Sequence, residues 1–422
     1  MTSSPAGPDP SLDGHPFGAV PVTVCGHCGT TVPVADFCGY CGAEAEAPAR
    51  GRLRLLRPRV FAVAPAERVL APMLTSTLFP QLPQIYRNPF RIGMAAVLIG
   101  AVALSVLHVI GPLVTVAALG VPWLFMLYLW QADVLRDIPA RMFAFAAALG
   151  ALLGVAWVWV TGGLVARSYG IPMAAGFVLQ DLLSIGLVIS VGGAVLMVLP
   201  AVVIRLLRPP TRESLDGFVI GALGALSFTG AATATRLAPQ FVSGLIANVA
   251  PLRLLVEAVL YGVAAPLTAA SVGGLIGMLL WFVPGRRAGE HRGTIRAALV
   301  VFTMLVAVIY TGIWVIDSAR MPKWPQLALH IALTLIALLA ARVCLQLALL
   351  HEEPDPFTGQ PVLCVHCRRV VPDMPFCPAC GAAARASSRS SRRRRRESPP
   401  TRQLEKTSPT YNSPIPESGT GE

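Results

Sequence analysis

Apolar positions fill the middle of the chain in runs too long for a helix of a soluble domain. A crossing helix needs roughly 20 apolar residues. On that measure the pattern predicts eight spans, at about 92–110, 113–131, 142–162, 185–207, 216–235, 263–283, 295–316 and 326–349. Gly111-Pro112 separates the first two. Two stretches fit no span cleanly. Residues 171–184 carry Gln180 and Asp181, poor lipid-facing residues, and read as a surface, re-entrant or crossing segment. Residues 240–262 place Arg253 and Glu257 at i,i+4 spacing, as an interfacial helix would. Outside the apolar middle the periodicity disappears. Residues 1–20 are rich in Pro and Gly and hold no apolar leader, so a disordered cytoplasmic start is expected. Residues 44–90 read as a basic, Pro-rich linker, and residues 384–422 as a disordered tail rich in Arg, Ser and Pro. The fold class predicted is an all-α membrane protein, a polytopic helical bundle over 91–350 flanked by two small terminal modules.

Charge orients the bundle. With the N-terminus inside, the inner loops hold Arg136 and Arg141, then Arg205, Arg208 and Arg212, then Arg286, Arg287, Arg292 and Arg296. The outer loops hold Arg167, then Arg236 and Arg253, then Arg320 and Lys323, and the first holds none. Every inner loop is at least as basic as any outer one, as the positive-inside rule requires. An inner membrane with both termini cytoplasmic follows. Trp130, Trp157, Trp159, Trp281 and Trp314 fall near span ends, as an aromatic belt would. The composition agrees: 54% hydrophobic, 13% charged, formal charge +12. Its Arg, Ala, Gly and Pro bias points to a GC-rich bacterial genome.

The terminal modules share one motif. Cys25-Gly-His-Cys28 and Cys38-Gly-Tyr-Cys41 recur, without a gap, as Cys364-Val-His-Cys367 and Cys377-Pro-Ala-Cys380. Two Cys-x-x-Cys knuckles set four thiolates on tight turns, the donor set of a tetrahedral zinc site. Residues 22–43 and 361–383 are therefore expected to be ribbons, each with one structural Zn²⁺. A filled Cys₄ shell leaves no position open for water, so it serves folding rather than catalysis. His27 and His366 sit inside the first knuckles, but four thiolates already complete the shell. Phe37 and Phe376 are expected to pack on the sites. The ninth cysteine, Cys344, lies in the last span as a small buried thiol. The modules resemble the double-knuckle zinc ribbons found at the ends of bacterial membrane proteins, and the whole chain resembles multi-pass proteins of that kind.

Within the core, Ser214-Leu-Asp216-Gly217-Phe-Val-Ile-Gly221-Ala-Leu-Gly224-Ala-Leu-Ser-Phe228 resembles the Leu-Asp-Gly stretch of PrsW-type intramembrane metalloproteases. Pro266-Leu-Thr268-Ala-Ala, followed by Gly273-Gly274, is similar to that family's later Thr-Ala helix. The family's adjacent Glu pair falls where this helix reads Gly192-Gly193-Ala194. Its Glu-Asn falls at Ala232-Thr233, and its later His at Ala265. The resemblance implies a relative without the catalytic set.

The remaining polar residues offer little chemistry. His108 and His330 read as interfacial tips, Arg342 as a side chain snorkelling to the inner face, and Asp181 as the best candidate for a buried acid. Gly150/Gly154, Gly217/Gly221 and Gly273/Gly277 are pairs of the kind that let spans approach closely. The expected function is non-enzymatic: a membrane protein whose cytoplasmic ribbons recruit a protein partner. A PrsW-like protease with unconventional ligands is the enzyme alternative, and a transporter using the broken segment near 170–200 is the third. Arg392–Arg396 is a candidate patch for anionic lipid or nucleic acid.

Overall fold

The computed structural model describes residues 21–45, 56, 59–169, 179–207, 213–243, 251–285, 292–318 and 322–398. Two short hairpins bracket the helices: β1 (Val22–Val24) with β2 (Thr31–Pro33), and β3 (Pro361–Leu363) with β4 (Val370–Pro372). Between them run α1 (Leu74–Leu78), α2 (Gln84–Val106), α3 (Ile110–Gln131), α4 (Val134–Asp137), α5 (Ala140–Tyr169), α6 (Leu179–Leu206), α7 (Ser214–Ser243), α8 (Pro251–Val259), α9 (Ala265–Trp281), α10 (Arg292–Ser318) and α11 (Lys323–His351). A last helix, α12 (Arg389–Glu397), follows the second hairpin. Among the described residues, eight helices are long and apolar enough to cross a membrane. The chain is built as a multi-pass membrane protein.

The sixth span is longer than its apolar core suggests. Residues 251–262, predicted to be interfacial, continue into α9 through a π-helical turn at Leu260–Ala264, so 252–281 forms one crossing unit. Proline explains the turn. Pro266 has no N–H for the carbonyl four residues back, and its ring would strike that carbonyl. A wide turn just before it relieves both. Arg253 and Glu257 keep their i,i+4 pairing at 3.5 Å, and Lys323 joins at 3.7 Å. Residues 171–178 and 244–250, and the side chain of Asp181, lie outside the described residues.

Burial separates inner from outer spans. About three quarters of the α7, α8–α9 and α11 spans is buried inside the protein, against 11% of α2 and 22% of α5. Small residues put α7 at the centre. Gly217 and Gly221 face Gly277 and Gly273 across an antiparallel crossing, backbone on backbone. On the other side, Gly150 and Gly154 of α5 lie against the carbonyls of Gly224 and Phe228. A methyl at Gly221 would overlap the Gly273 carbonyl oxygen, which no rotamer change can move. Gly221→Val should therefore cost about 1–3 kcal/mol or more in detergent unfolding. Gly100→Ala, where nothing lies within 4 Å of the new carbon, should stay within about 0.5 kcal/mol.

The predicted linker proves to be partly structure. Phe61, Val63, Val69, Leu78, Phe79 and Leu82 are all buried and belong to the main core. Phe79 packs against Phe90, Phe125 and Tyr128. Two polar residues one turn apart on α11 hold this segment. Gln346 accepts from the Ala62 N–H at 2.8 Å and donates to the Val60 carbonyl at 3.1 Å. Arg342 pairs with Glu67 at 2.8 Å, donates to Ser76 Oγ at 2.5 Å, and lies 3.9 Å from the centre of the Phe61 ring. It is completely buried, so the snorkelling expectation fails: its partners come to it. His330 is likewise buried rather than interfacial, with Nε2 2.9 Å from Asp317. Trp130 and Trp159 are exposed, as belt residues should be, whereas Trp281 is buried under Arg205.

Candidate metal centres

Each ribbon is a β-hairpin whose turn is the first knuckle, followed by a second knuckle. The backbone closes each knuckle on its own leading cysteine. Gly29 and Gly42 donate N–H to the Cys25 and Cys38 carbonyls at 2.9 and 2.7 Å, and Arg368 and Gly381 do the same to Cys364 and Cys377 at 3.0 and 2.8 Å. The residue closing each turn has positive φ, between 55° and 75°, which Gly adopts freely at three of the four sites.

These turns converge the thiols. Cys25 and Cys41 Sγ are 3.9 Å apart, and Cys28 and Cys38 are 3.8 Å apart. Cys364 and Cys380 are 3.9 Å apart, and Cys367 and Cys377 are 3.8 Å apart. Within each set all four sulfurs lie within 4.8 Å of one another. A tetrahedral ion with Zn–S near 2.3 Å requires S···S of about 3.8 Å, so the geometry fits a four-thiolate shell. No disulfide joins these cysteines. The eight cysteines thus gather into two four-thiol clusters, and neither His27 nor His366 belongs to them.

Packed thiols cannot all ionise without a counter-charge. Hydrogen bonding from Cys41 pulls Cys38 down to about 5, while burial pushes Cys25 up. In the second set the Cys367 thiol lowers Cys364, which in turn raises Cys380. A divalent ion removes this conflict by holding four thiolates at once. Burial pushes His366 down to about 4, so its ring is neutral.

The two ribbons pack on each other through an approximate two-fold. Phe37 N–H donates to the Pro378 carbonyl at 2.9 Å, and Phe376 N–H donates to the Gly39 carbonyl at 2.9 Å. These four residues occupy equivalent places in the two copies. The rings follow the same exchange: Phe376 lies where a side chain at Gly42 would be, and Phe37 where one at Gly381 would be. Both glycines also hold positive φ. The phenylalanines therefore close the contact between ribbons, each against the other module's last knuckle. This contact puts both termini of the described chain at one end of the bundle, in keeping with an even number of spans.

The second ribbon is fastened to the bundle as well. The Ala383 N–H donates to the Ala62 carbonyl at 2.8 Å, and Phe376 and Ala386 join the main core. After it, the Arg run expected to be a disordered tail forms α12, with Arg392 buried. Acidic residues from distant segments make this helix possible. Glu213 receives Arg389 at 2.6 Å and Arg392 at 2.5 Å, Asp216 receives Arg389, and Asp355 receives Arg392 at 2.9 Å. Asp137 caps the helix N-terminus by accepting the Arg389 and Ser390 N–H groups at 2.5 and 2.7 Å. Asp373 receives Arg396 at 2.8 Å. Arg385 joins Glu352, which accepts from Ser214 N–H and Oγ at 2.8 and 2.7 Å. Burial raises the Glu352 carboxyl. Asp355 is held below the usual range because Arg392 and Arg385 outweigh its burial. Residues 399–422 lie outside the described residues.

The positions singled out in the core also meet. Gly193, Ala232, Thr233 and Ala265 line one small cavity with Arg236, Tyr261 and Tyr310. The Trp157 indole occupies the space that side chains at Gly192 and Gly193 would need. Arg236 stacks 4.4 Å from the Trp314 ring. No family model matches the chain, and comparison with curated proteins and with solved structures returns no match.

Proposed function

We propose that the chain is a multi-pass membrane scaffold whose paired cytoplasmic ribbons, each holding one structural zinc, recruit a protein partner. The observation that carries this reading is the pair of four-thiol shells, complete in themselves and joined by reciprocal Phe–Gly contacts. Thiolate ligands in tetrahedral order favour zinc over hard oxygen-seeking ions. The unequal finish of the two ribbons supports a docking role. In the second ribbon the outer strand is covered by α12, and Val362 and Leu363 are each 7% exposed. Their counterparts in the first ribbon, Thr23 and Val24, are bare, with Val22, Val24 and Val34 at 54%, 64% and 57% exposure. A partner helix seated there would complete the first ribbon as α12 completes the second.

A pseudoprotease core fits the same reading. The positions where PrsW-type enzymes carry their acidic and His residues converge on one cavity, yet here they are Gly, Ala and Thr, with Trp157 filling the space.

Site-specific photocrosslinking from Val24 in cells is the test. A discrete adduct is expected, reduced about tenfold or more by Val22→Asp with Val34→Asp, as for loss of a small apolar contact. Metal content should stay unchanged. An adduct pattern from Val24 no different from that of buried Val371 would sink the recruiting role. A tightly held zinc in a chain lacking all eight ribbon cysteines would revive the protease.

A further inference from the structure

Below the second ribbon, where α2 begins and α3 ends, lies a cavity of about 500 Å³. Its wall holds buried polar groups without hydrogen-bond partners: the side-chain oxygens of Gln81 and Gln131, and both ring nitrogens of His366. Gln81 and His366 are only 2% and 8% exposed. Such groups are rare in folded proteins, since each forfeits the bond it made with water. A rotation of these side chains toward the cavity would let an occupant pair with them.

The rim adds charge. Arg136 and Arg394 line the cavity and share Asp133, at 3.5 and 3.2 Å. Two guanidinium groups against one carboxylate leave one positive charge, with further N–H groups facing outward. Both side chains are more than half exposed. Trp130 and Tyr86, also in the lining, are exposed at the ends of α3 and α2. Rings of this kind mark the level of lipid headgroups. The cavity therefore opens where a phosphodiester would lie, not in the hydrocarbon.

We propose that this cavity seats the headgroup of an anionic phospholipid of the phosphatidylglycerol type. Arg136 and Arg394 hold the phosphodiester, and the Gln81 and Gln131 oxygens accept the glycerol hydroxyls. His366 completes the seat through whichever ring nitrogen faces the ligand. A single phosphodiester balances the single surplus charge. A choline headgroup carries no N–H or O–H donor for the two glutamine oxygens, and an ethanolamine headgroup brings no net charge. This inference goes beyond the scaffold reading and stands without it, needing only that the chain sits in a bilayer.

The full-length protein should be placed in nanodiscs with equal amounts of the glycerol, ethanolamine and choline phospholipids, then released for native mass spectrometry. One glycerol phospholipid should stay bound per chain. Arg136→Gln with Arg394→Gln should lower its retention about tenfold or more, with metal content unchanged as the check on folding. Gln131→Leu, which leaves the charge intact, should lower it as well. Equal retention of all three lipids would overturn the proposal. So would loss in the double Arg variant with full retention in Gln131→Leu, since surface charge alone would then hold the lipid. Displacement by soluble glycerol phosphate would assign the site to a free phosphate instead of a lipid.

Discussion

Replacing Cys377 by serine is expected to strip the second ribbon of its metal and to unfold the whole ribbon end of the molecule. The second ribbon has little core of its own: Val362, Cys364, Val371, Cys377 and Ala382 make up its buried apolar cluster, and two of the five are cysteines of the proposed metal shell. In modules this small, metal binding supplies an apparent 10–16 kcal/mol of folding energy, so about that scale is at stake. Serine keeps the shape but cannot offer a thiolate, which breaks the tetrahedral set. The damage should spread along the contacts already described. Phe376 would no longer close over Gly42, the Ala383–Ala62 hydrogen bond would open, and α12 would lose the fixed start that aims Arg389 and Arg392 at Glu213.

The mirror variant should do less. Cys38→Ser unfolds the first ribbon, but the second is still fastened to the bundle through Ala383 and α12. The proposal of one zinc per ribbon requires elemental analysis to find two per chain in the unaltered protein and one in Cys38→Ser. Cys377→Ser should show one or none, the remaining ion more easily chelated. Amide exchange should rise in 21–45 alone for the first variant. For the second it should rise in 21–45, 361–384 and 389–397, with α7 and α9 unchanged. Two retained ions in either variant, or equal spreading in both, would refute the proposed asymmetry.

That asymmetry shows where reading residues in order succeeds and where it fails. Spans are visible locally because hydrocarbon demands an unbroken apolar run, whatever the neighbours do. The thiol clusters are visible for a similar reason: a knuckle is a local turn, and four thiols two by two define their own geometry. The tail reads as disordered because its partners are remote. Arg389 and Arg392 look like a solvated run until Glu213, Asp216 and Asp355 are brought beside them, and no periodicity announces that. The ribbon pairing left a faint trace. Phe37/Phe376 and Gly42/Gly381 coincide in the two copies although none is a metal ligand, which is what a reciprocal contact would require. The π turn before Pro266 is a third kind of case: the proline is plain in the sequence, but the charged pair at Arg253 and Glu257 favours an interface there.

The segment 59–83 turns on one residue, and Arg342→Met should reveal it. A snorkelling arginine would contribute little, about 0–1 kcal/mol, because its charge would already be in water. The structure instead gives Arg342 no exposure and surrounds it with Glu67, Ser76, Thr77 and the Arg68 carbonyl. Methionine keeps most of the volume and removes the charge, leaving Glu67 largely buried with Ser76, the more distant Arg91 at 3.7 Å and the charge of nearby Arg87 to offset it. Breaking a buried pair from one side costs about 3–5 kcal/mol. Unfolding in detergent should show that loss, and limited proteolysis should begin cutting within 59–83. Adding Glu67→Leu should restore much of the stability, because an apolar pair of similar shape is often no worse than the ions it replaces. A single-variant loss under about 1 kcal/mol would mean that the guanidinium reaches water after all. A double variant as unstable as the single would shift the cost from the unpaired carboxylate to packing against Phe61, where the guanidinium now lies.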